Sequence, residues 1–227
     1  MTDADRLLDA ALLHVPFDGW TQSALDAAMA DCDMAASDAA AFFPRGAVDM
    51  ALAYHQRGDQ AMVEKLKAAD LSALKFRDRI AAGVRFRLES ADRELVRRGM
   101  TLFALPAHAG DGARATWQTA GLIWETLGDS SQDVNWYTKR ATLSAVYGST
   151  VLFWLGDESE DHADTWEFLD RRIENVMQFE KFKGMARENK LFAAFMAGPG
   201  KVIDQIKAPG APKAGYPGHW HSGEEPK

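Results

Sequence analysis

The sequence predicts an all-α fold, a helical bundle with a helix-turn-helix silhouette at its N-terminal end and an amphipathic helix towards its C-terminal end. Three observations predict it. Apolar residues recur three and four positions apart in nearly every segment, the spacing that lines one face of a helix. Alternating runs of strand type are scarce, and Pro, Gly and capping residues fall between the periodic segments. With 227 residues, 47% of them hydrophobic, the chain is long enough to bury a sizeable core.

The first helix is expected from Asp3 to His14, with Leu7, Leu8, Ala11 and Leu12 on one face and Pro16 and Gly19 ending it. Thr21 is placed to cap a second through Leu25 and Met29, its hydroxyl accepting from a free N–H of the first turn. A third short helix is expected from near Ser37 to Phe43, ended by Pro44, and a fourth from Ala47 to Leu52 and Tyr54. Residues 72–98 read as one long helix with Leu74, Ile80, Val84, Leu88 and Leu95 inward and the Arg and Lys side chains in solvent. A helix from Arg114 to Leu127 carries Trp117, Ile123 and Trp124, and Gly128 closes it. Two more are expected from Asp133 to Leu155 and from Asp161 to Phe179. Residues 187–206 read as a last amphipathic helix, preceded by a linker near Lys183-Gly184 and interrupted at Gly198-Pro199-Gly200. From Ala208 to Lys227 there are four Pro and four Gly, the composition of a flexible tail.

Charge narrows the function. Residues 1–45 hold eight acids against two bases, a net of −6, within a chain of net charge −7. Lys65 to Arg98 holds ten bases against five acids, a net of +5. The first segment repels nucleic acid, and the second attracts anionic surfaces. The string in the recognition-helix position, residues 34–43 (MAASDAAAFF), has no Lys, Arg, Asn or Gln to read base edges and carries Asp38. No nucleic-acid partner is therefore expected.

Catalytic motifs are missing as well. None of the six histidines completes a Glu-x-x-His pair or a His-Glu-x-x-His motif, and there is no Gly-x-Gly-x-x-Gly loop. Cys32 is the single cysteine and lies among acids that disfavour a thiolate. The expectation is no enzyme, no metal and no cofactor, in a reducing compartment such as the cytoplasm. The opening residues show no targeting pattern, and no run of about 18 apolar residues could span a bilayer.

Two stretches resemble known proteins. Residues 7–44, LLDAALLHVPFDGWTQSALDAAMADCDMAASDAAAFFP, resemble the N-terminal domain of TetR-type repressors. Residues 133–179 closely resemble the ninth Coq protein family of ubiquinone biosynthesis, alpha-proteobacterial type. Its core here is Asp133, Asn135-Trp136-Tyr137-Thr138, Arg140-Ala141, Tyr147 and Thr150, then Asp164-Thr165-Trp166 with Phe168-Leu169. The resemblance covers most of residues 1–206 and is strongest in 124–177.

It implies a TetR-like helical bundle with a degenerate N-terminal helix-turn-helix, forming a homodimer. It further implies a hydrophobic tunnel for an isoprenoid quinone-type lipid and a partnership with the demethoxyubiquinone hydroxylase. The expected location is cytoplasmic, peripheral on the inner membrane. The domains so expected are a helix-turn-helix sub-domain (1–55), a lipid-binding and dimerisation body (56–182), the amphipathic helix (183–207) and the tail (208–227). A TetR-type ligand-responsive transcriptional regulator is the alternative, and a scaffold with a merely packed core is a third.

Site residues follow from both kinds of reading. Asp133 or Asn135 can cap a helix whose first turn holds Trp136 and Tyr137. Adjacent residues on a helix lie about 100° apart, so at least one of the two rings reaches the surface. With the resemblance, Trp124, Asp133, Asn135, Trp136, Tyr137 and Arg140 form a partner-binding patch. Without it, Trp136 packs under the preceding loop and Tyr137 hydrogen-bonds nearby. Leu143, Val146, Tyr147 and Val151 share one helical face, and Trp166, Leu169, Ile173 and Val176 another. They are candidates to line the lipid, although core packing accounts for them equally. Leu191, Phe192, Phe195, Met196, Val202 and Ile203, flanked by Arg187, Lys190, Lys201 and Lys207, are the membrane-contact candidates.

Overall fold

The computed structural model describes residues 2–188, with side chains as far as residue 176. The described residues form nine α-helices and no strand: α1 (Asp3–Asp18), α2 (Gln22–Asp31), α3 (Ala36–Phe42), α4 (Ala47–Ala68), α5 (Phe76–Glu89), α6 (Arg93–Phe103), α7 (Ala109–Thr126), α8 (Val134–Gly156) and α9 (Ala163–Glu188). The expected all-α architecture is thus observed.

The N-terminal helices form where local chemistry favours them. Thr2 and Asp5 cap α1 reciprocally. The helix does not stop at Pro16; it runs on to Asp18. Proline forfeits the backbone bond to the Leu12 carbonyl, and the helix ends two residues later. Gly19 ends it, at φ 71°, a conformation that favours glycine. The Thr21 hydroxyl caps α2 as expected, accepting from the Ala24 N–H. These helices enclose a small core of Leu7, Leu8, Val15, Trp20, Leu25 and Phe43, closed by Met50 of α4 and Leu95 of α6.

Three expectations are corrected. The fourth helix does not end near Tyr54, because Met62 and Leu66 extend its buried stripe. The boundary expected between residues 55 and 56 therefore falls inside a continuous helix. Met50 and Ala51 lie in the small core, while Met62 and Leu66 enter the large one. Residues 72–98 are not one helix: the chain turns after Glu89, and Asp92 starts α6 by accepting from the Glu94 and Leu95 N–H groups. Val84 and Leu88 consequently face the large core and Leu95 the small one. The linker expected at Lys183-Gly184 is absent, since α9 continues through both to Glu188.

The large core joins α4, α5, α7, α8 and α9 through Leu66, Val84, Leu88, Ile123, Tyr147 and Leu169, among others. Close approach of the helices requires small residues. A Cβ on Gly83 would lie 3.0 Å from Ile123 Cγ2, and one on Gly112 would lie 2.7 Å from Phe103 Cβ. α7 starts at Ala109, five residues before the expected Arg114, with Gly110 and Gly112 inside the helix. Between α8 and α9, Asp157 accepts from the Thr165 N–H and hydroxyl and from Ser159. Those bonds, led by Ser159 and Thr165, hold its carboxyl far below the usual carboxylate range. Among the described residues no helix is long and apolar enough to cross a membrane.

Candidate functional site

The start of α8 places two rings side by side. Asp133 caps the helix by accepting from the Asn135 N–H at 2.9 Å, and the Asn135 amide donates to the same carboxylate. Trp136 and Tyr137 follow at once and meet edge to face, centroids 4.8 Å apart at 76°. Trp117 of α7 joins them, 6.0 Å from Trp136 and 6.5 Å from Tyr137. All three rings are half-buried, while Asp133 and Asn135 are exposed. Trp136 therefore packs on Trp117.

Arg140 is not a surface member of this patch. Its side chain is 2% exposed and ion-paired to Asp129 (3.4 Å) and Glu125 (3.2 Å). It also donates to the Trp136 carbonyl, and its guanidinium carbon lies 3.9 Å from the centre of the Trp136 ring. Arg140 supports the ring from inside. Lys139 anchors the same carboxylate at 2.6 Å. Burial of Asp129 opposes its ionisation, but the hydrogen bonds from Lys139 and Ser131 outweigh that and hold its carboxyl below the usual value. Trp124 belongs to a different ring pair: it packs on Phe76 at 5.6 Å, and its indole N–H donates to the Lys139 carbonyl.

Next to the patch lies a cavity of about 570 Å³ between α4, α6, α7 and α8. Its walls are built from Ala51, Gly99, Ala113, Ala141, Ala145 and Gly148, side chains short enough to leave space between helices. Trp117 lines this cavity as well as belonging to the ring cluster. Tyr147 and Val151 line it too, whereas Leu143, Val146, Ile173 and Val176 line a second cavity of about 430 Å³ between α5, α8 and α9. Trp166 and Leu169 line neither of these. Leu169 is a core residue, and Trp166 donates to the Asp161 carbonyl beneath Arg85. The membrane-contact candidates Leu191, Phe192, Phe195, Met196, Val202 and Ile203 lie outside the described residues.

Sequence reasoning missed the polar end of the first cavity. Arg87, expected in solvent, is buried. Its Nε donates to Asp59 at 2.7 Å and its Nη2 to the His55 carbonyl at 3.0 Å. Thr119 donates to Asp59 at 2.9 Å and meets His55 Nε2 at 2.8 Å. Burial pushes the His55 pKa down, which favours the neutral ring. The signal was present: Ile80, Val84 and Arg87 fall four and three residues apart, so position 87 belongs to the inward face. Tyr54 adds a hydroxyl to this wall, accepting from the Asp92 N–H.

A family model described as COQ9 matches residues 109–180, which include both rings, Trp117 and the α7 and α8 walls of the cavity. The mitochondrial ubiquinone biosynthesis protein COQ9 of Xenopus tropicalis is 33% identical over 183 residues, 76% of this chain and 57% of that protein. The chain is similar to the COQ9 family. The human COQ9 protein, also mitochondrial, is 30% identical over 181 residues, 76% of this chain and 57% of its own length. A probable coq9 protein of Dictyostelium discoideum is 28% identical over 191 residues, 81% of this chain and 62% of that one. The chain thus spans under two thirds of the length of these relatives. A TetR transcriptional regulator from Nitrosomonas europaea superposes with a TM-score of 0.63 at 20% identity, covering 77% of this chain and 98% of the regulator. The fold is TetR-like.

Proposed function

We propose that this protein is a non-catalytic accessory protein of ubiquinone biosynthesis that binds an isoprenoid lipid and presents it to the demethoxyubiquinone hydroxylase. The observation that carries the reading is the double position of Trp117, at once a wall of the cavity and a member of the surface ring cluster. A lipid held in the cavity is thereby one side chain away from a partner seated on Trp136 and Tyr137. Aromatic clusters of this kind are typical anchors of protein interfaces. The names of the relatives support the pathway.

Two further features belong to this proposal. The exposed Leu152 and Phe153 of α8 lie between Gly148 and Gly156, where an added Cβ would meet nothing within 4 Å. That open apolar face supports a homodimer. The sequence of residues 187–206 supports peripheral contact with the inner membrane. A DNA-binding regulator is disfavoured because α3 carries Asp38 and no basic residue.

The test is co-purification with the hydroxylase. Wild-type protein retains the enzyme, and the paired substitution Trp136→Ala with Tyr137→Ala releases it without unfolding the bundle. Equal retention by both proteins would place the interface elsewhere.

A further inference from the structure

Tyr147 is 5% exposed and lines the 570 Å³ cavity. Among the described residues its hydroxyl has no hydrogen-bond partner. Three residues earlier on the same wall, the buried Ser144 Oγ is also without a partner, and a buried hydroxyl left so costs about 1–3 kcal/mol in an isolated protein. Tyr147 lies within electrostatic reach of Arg87, Asp59 and Tyr54. The Tyr54 oxygen accepts from Asp92, which leaves its own hydrogen to donate.

The charge at this end of the cavity is balanced. Arg87 is neutralised by Asp59 at 2.7 Å. The cavity therefore offers hydroxyl donors beside a compensated ion pair, within walls that are otherwise largely apolar. Such a site stabilises a neutral oxygen acceptor and has no spare positive charge for an anion.

We propose that this wall recognises the head of the bound lipid, with Tyr147 as principal donor, and that the head is a neutral group bearing an acceptor oxygen, such as a quinone carbonyl or a phenol. A carboxylate, a phosphate or a plain hydrocarbon end fits it less well. The inference rests on the lipid-carrying function proposed above and adds which end of the lipid is read, and by which residues.

The test uses delipidated full-length protein and displacement of a bound apolar fluorophore by three probes with equal isoprenoid tails: a benzoquinone, the hydrocarbon and the carboxylic acid. The quinone is expected to bind about tenfold more tightly than the hydrocarbon, the size of one buried neutral hydrogen bond. Tyr147→Phe brings that ratio close to one while leaving hydrocarbon binding unchanged, which also serves as its folding control. Its ligand-free Tm does not fall, as it would if the hydroxyl were structural. Equal binding of quinone and hydrocarbon, an unchanged ratio in Tyr147→Phe, or tightest binding of the acid overturns the inference alone. Failure of all three probes to bind overturns the lipid-carrying function together with it.

Discussion

Arg140 supports Trp136 from beneath: the guanidinium carbon stands 3.9 Å from the ring centre and the same side chain donates to the Trp136 carbonyl. The ring that the proposed partner would meet is thus oriented by a buried charge, which Asp129 and Glu125 compensate. Removing that compensation disturbs stability and surface together.

Asp129→Asn tests this coupling. It takes the anion from Lys139 and Arg140 at once, and loss of one partner from a buried ion pair costs about 3 kcal/mol. Urea unfolding is expected to show a fall of about that size, with a lowered midpoint. Hydroxylase retention falls with it if Trp136 loses its orientation. An unchanged midpoint would mean that Glu125 suffices.

Acid gives the same perturbation without a mutation. The Asp129 carboxyl is held below its ordinary value of 3.8, chiefly by Lys139 and Ser131 acting against burial. A carboxyl with a depressed folded pKa contributes stability that is fully present above the unfolded value and lost as pH falls through the folded one. The stability of the wild-type protein should therefore decline below about pH 3.8, and that of Asp129→Asn should decline less. Thermal melts between pH 6 and pH 2.5 measure the difference.

Gly58→Ala probes the interior ion pair. A Cβ there would lie 2.6 Å from Arg87 Nη1 and 2.7 Å from Cζ, so the guanidinium must leave its place against Asp59. Overpacking of this kind costs about 1–3 kcal/mol, and the loss should appear as a lower Tm with native helix content. Gly148→Ala, where the added carbon meets nothing within 4 Å, should leave the Tm of the monomeric unit unchanged.

Particular residues show how much was legible in the sequence. Thr21 and Asp133 announced α2 and α8 because a cap is decided by a few adjacent residues. Pro16 misled, since its cost depends on how far the helix continues beyond it. Residues 72–98 misled for another reason. The inward stripe is unbroken on paper, but the chain turns at Ser90-Ala91 and Leu95 lies in the other core. The adjacency of Trp136 and Tyr137 foretold that at least one ring reaches the surface, and both are half-buried; their reading as a patch came from the family resemblance. The places of Arg140 and Trp124 were not legible, because their partners Asp129, Trp136 and Phe76 come together through the packing of α5, α7 and α8. The cavity was illegible for the same reason: a void depends on where small residues of four helices meet.

Trp117→Ala tests the link between cavity and surface. The substitution removes a cavity wall and one of three clustered rings, so lipid retention and hydroxylase retention should both fall, by about tenfold if one aromatic anchor is lost. Trp117→Phe should restore most of both. Loss of one property alone would mean that the cavity and the patch act independently.

The most direct test of the account is mass spectrometry of organic extracts from the purified protein. The account predicts an isoprenoid lipid at near-stoichiometric amount, or its uptake by delipidated protein from added lipid. Protein that carries none and takes up none would contradict it, and would reduce the cavity to packing space beside a plain protein-binding surface.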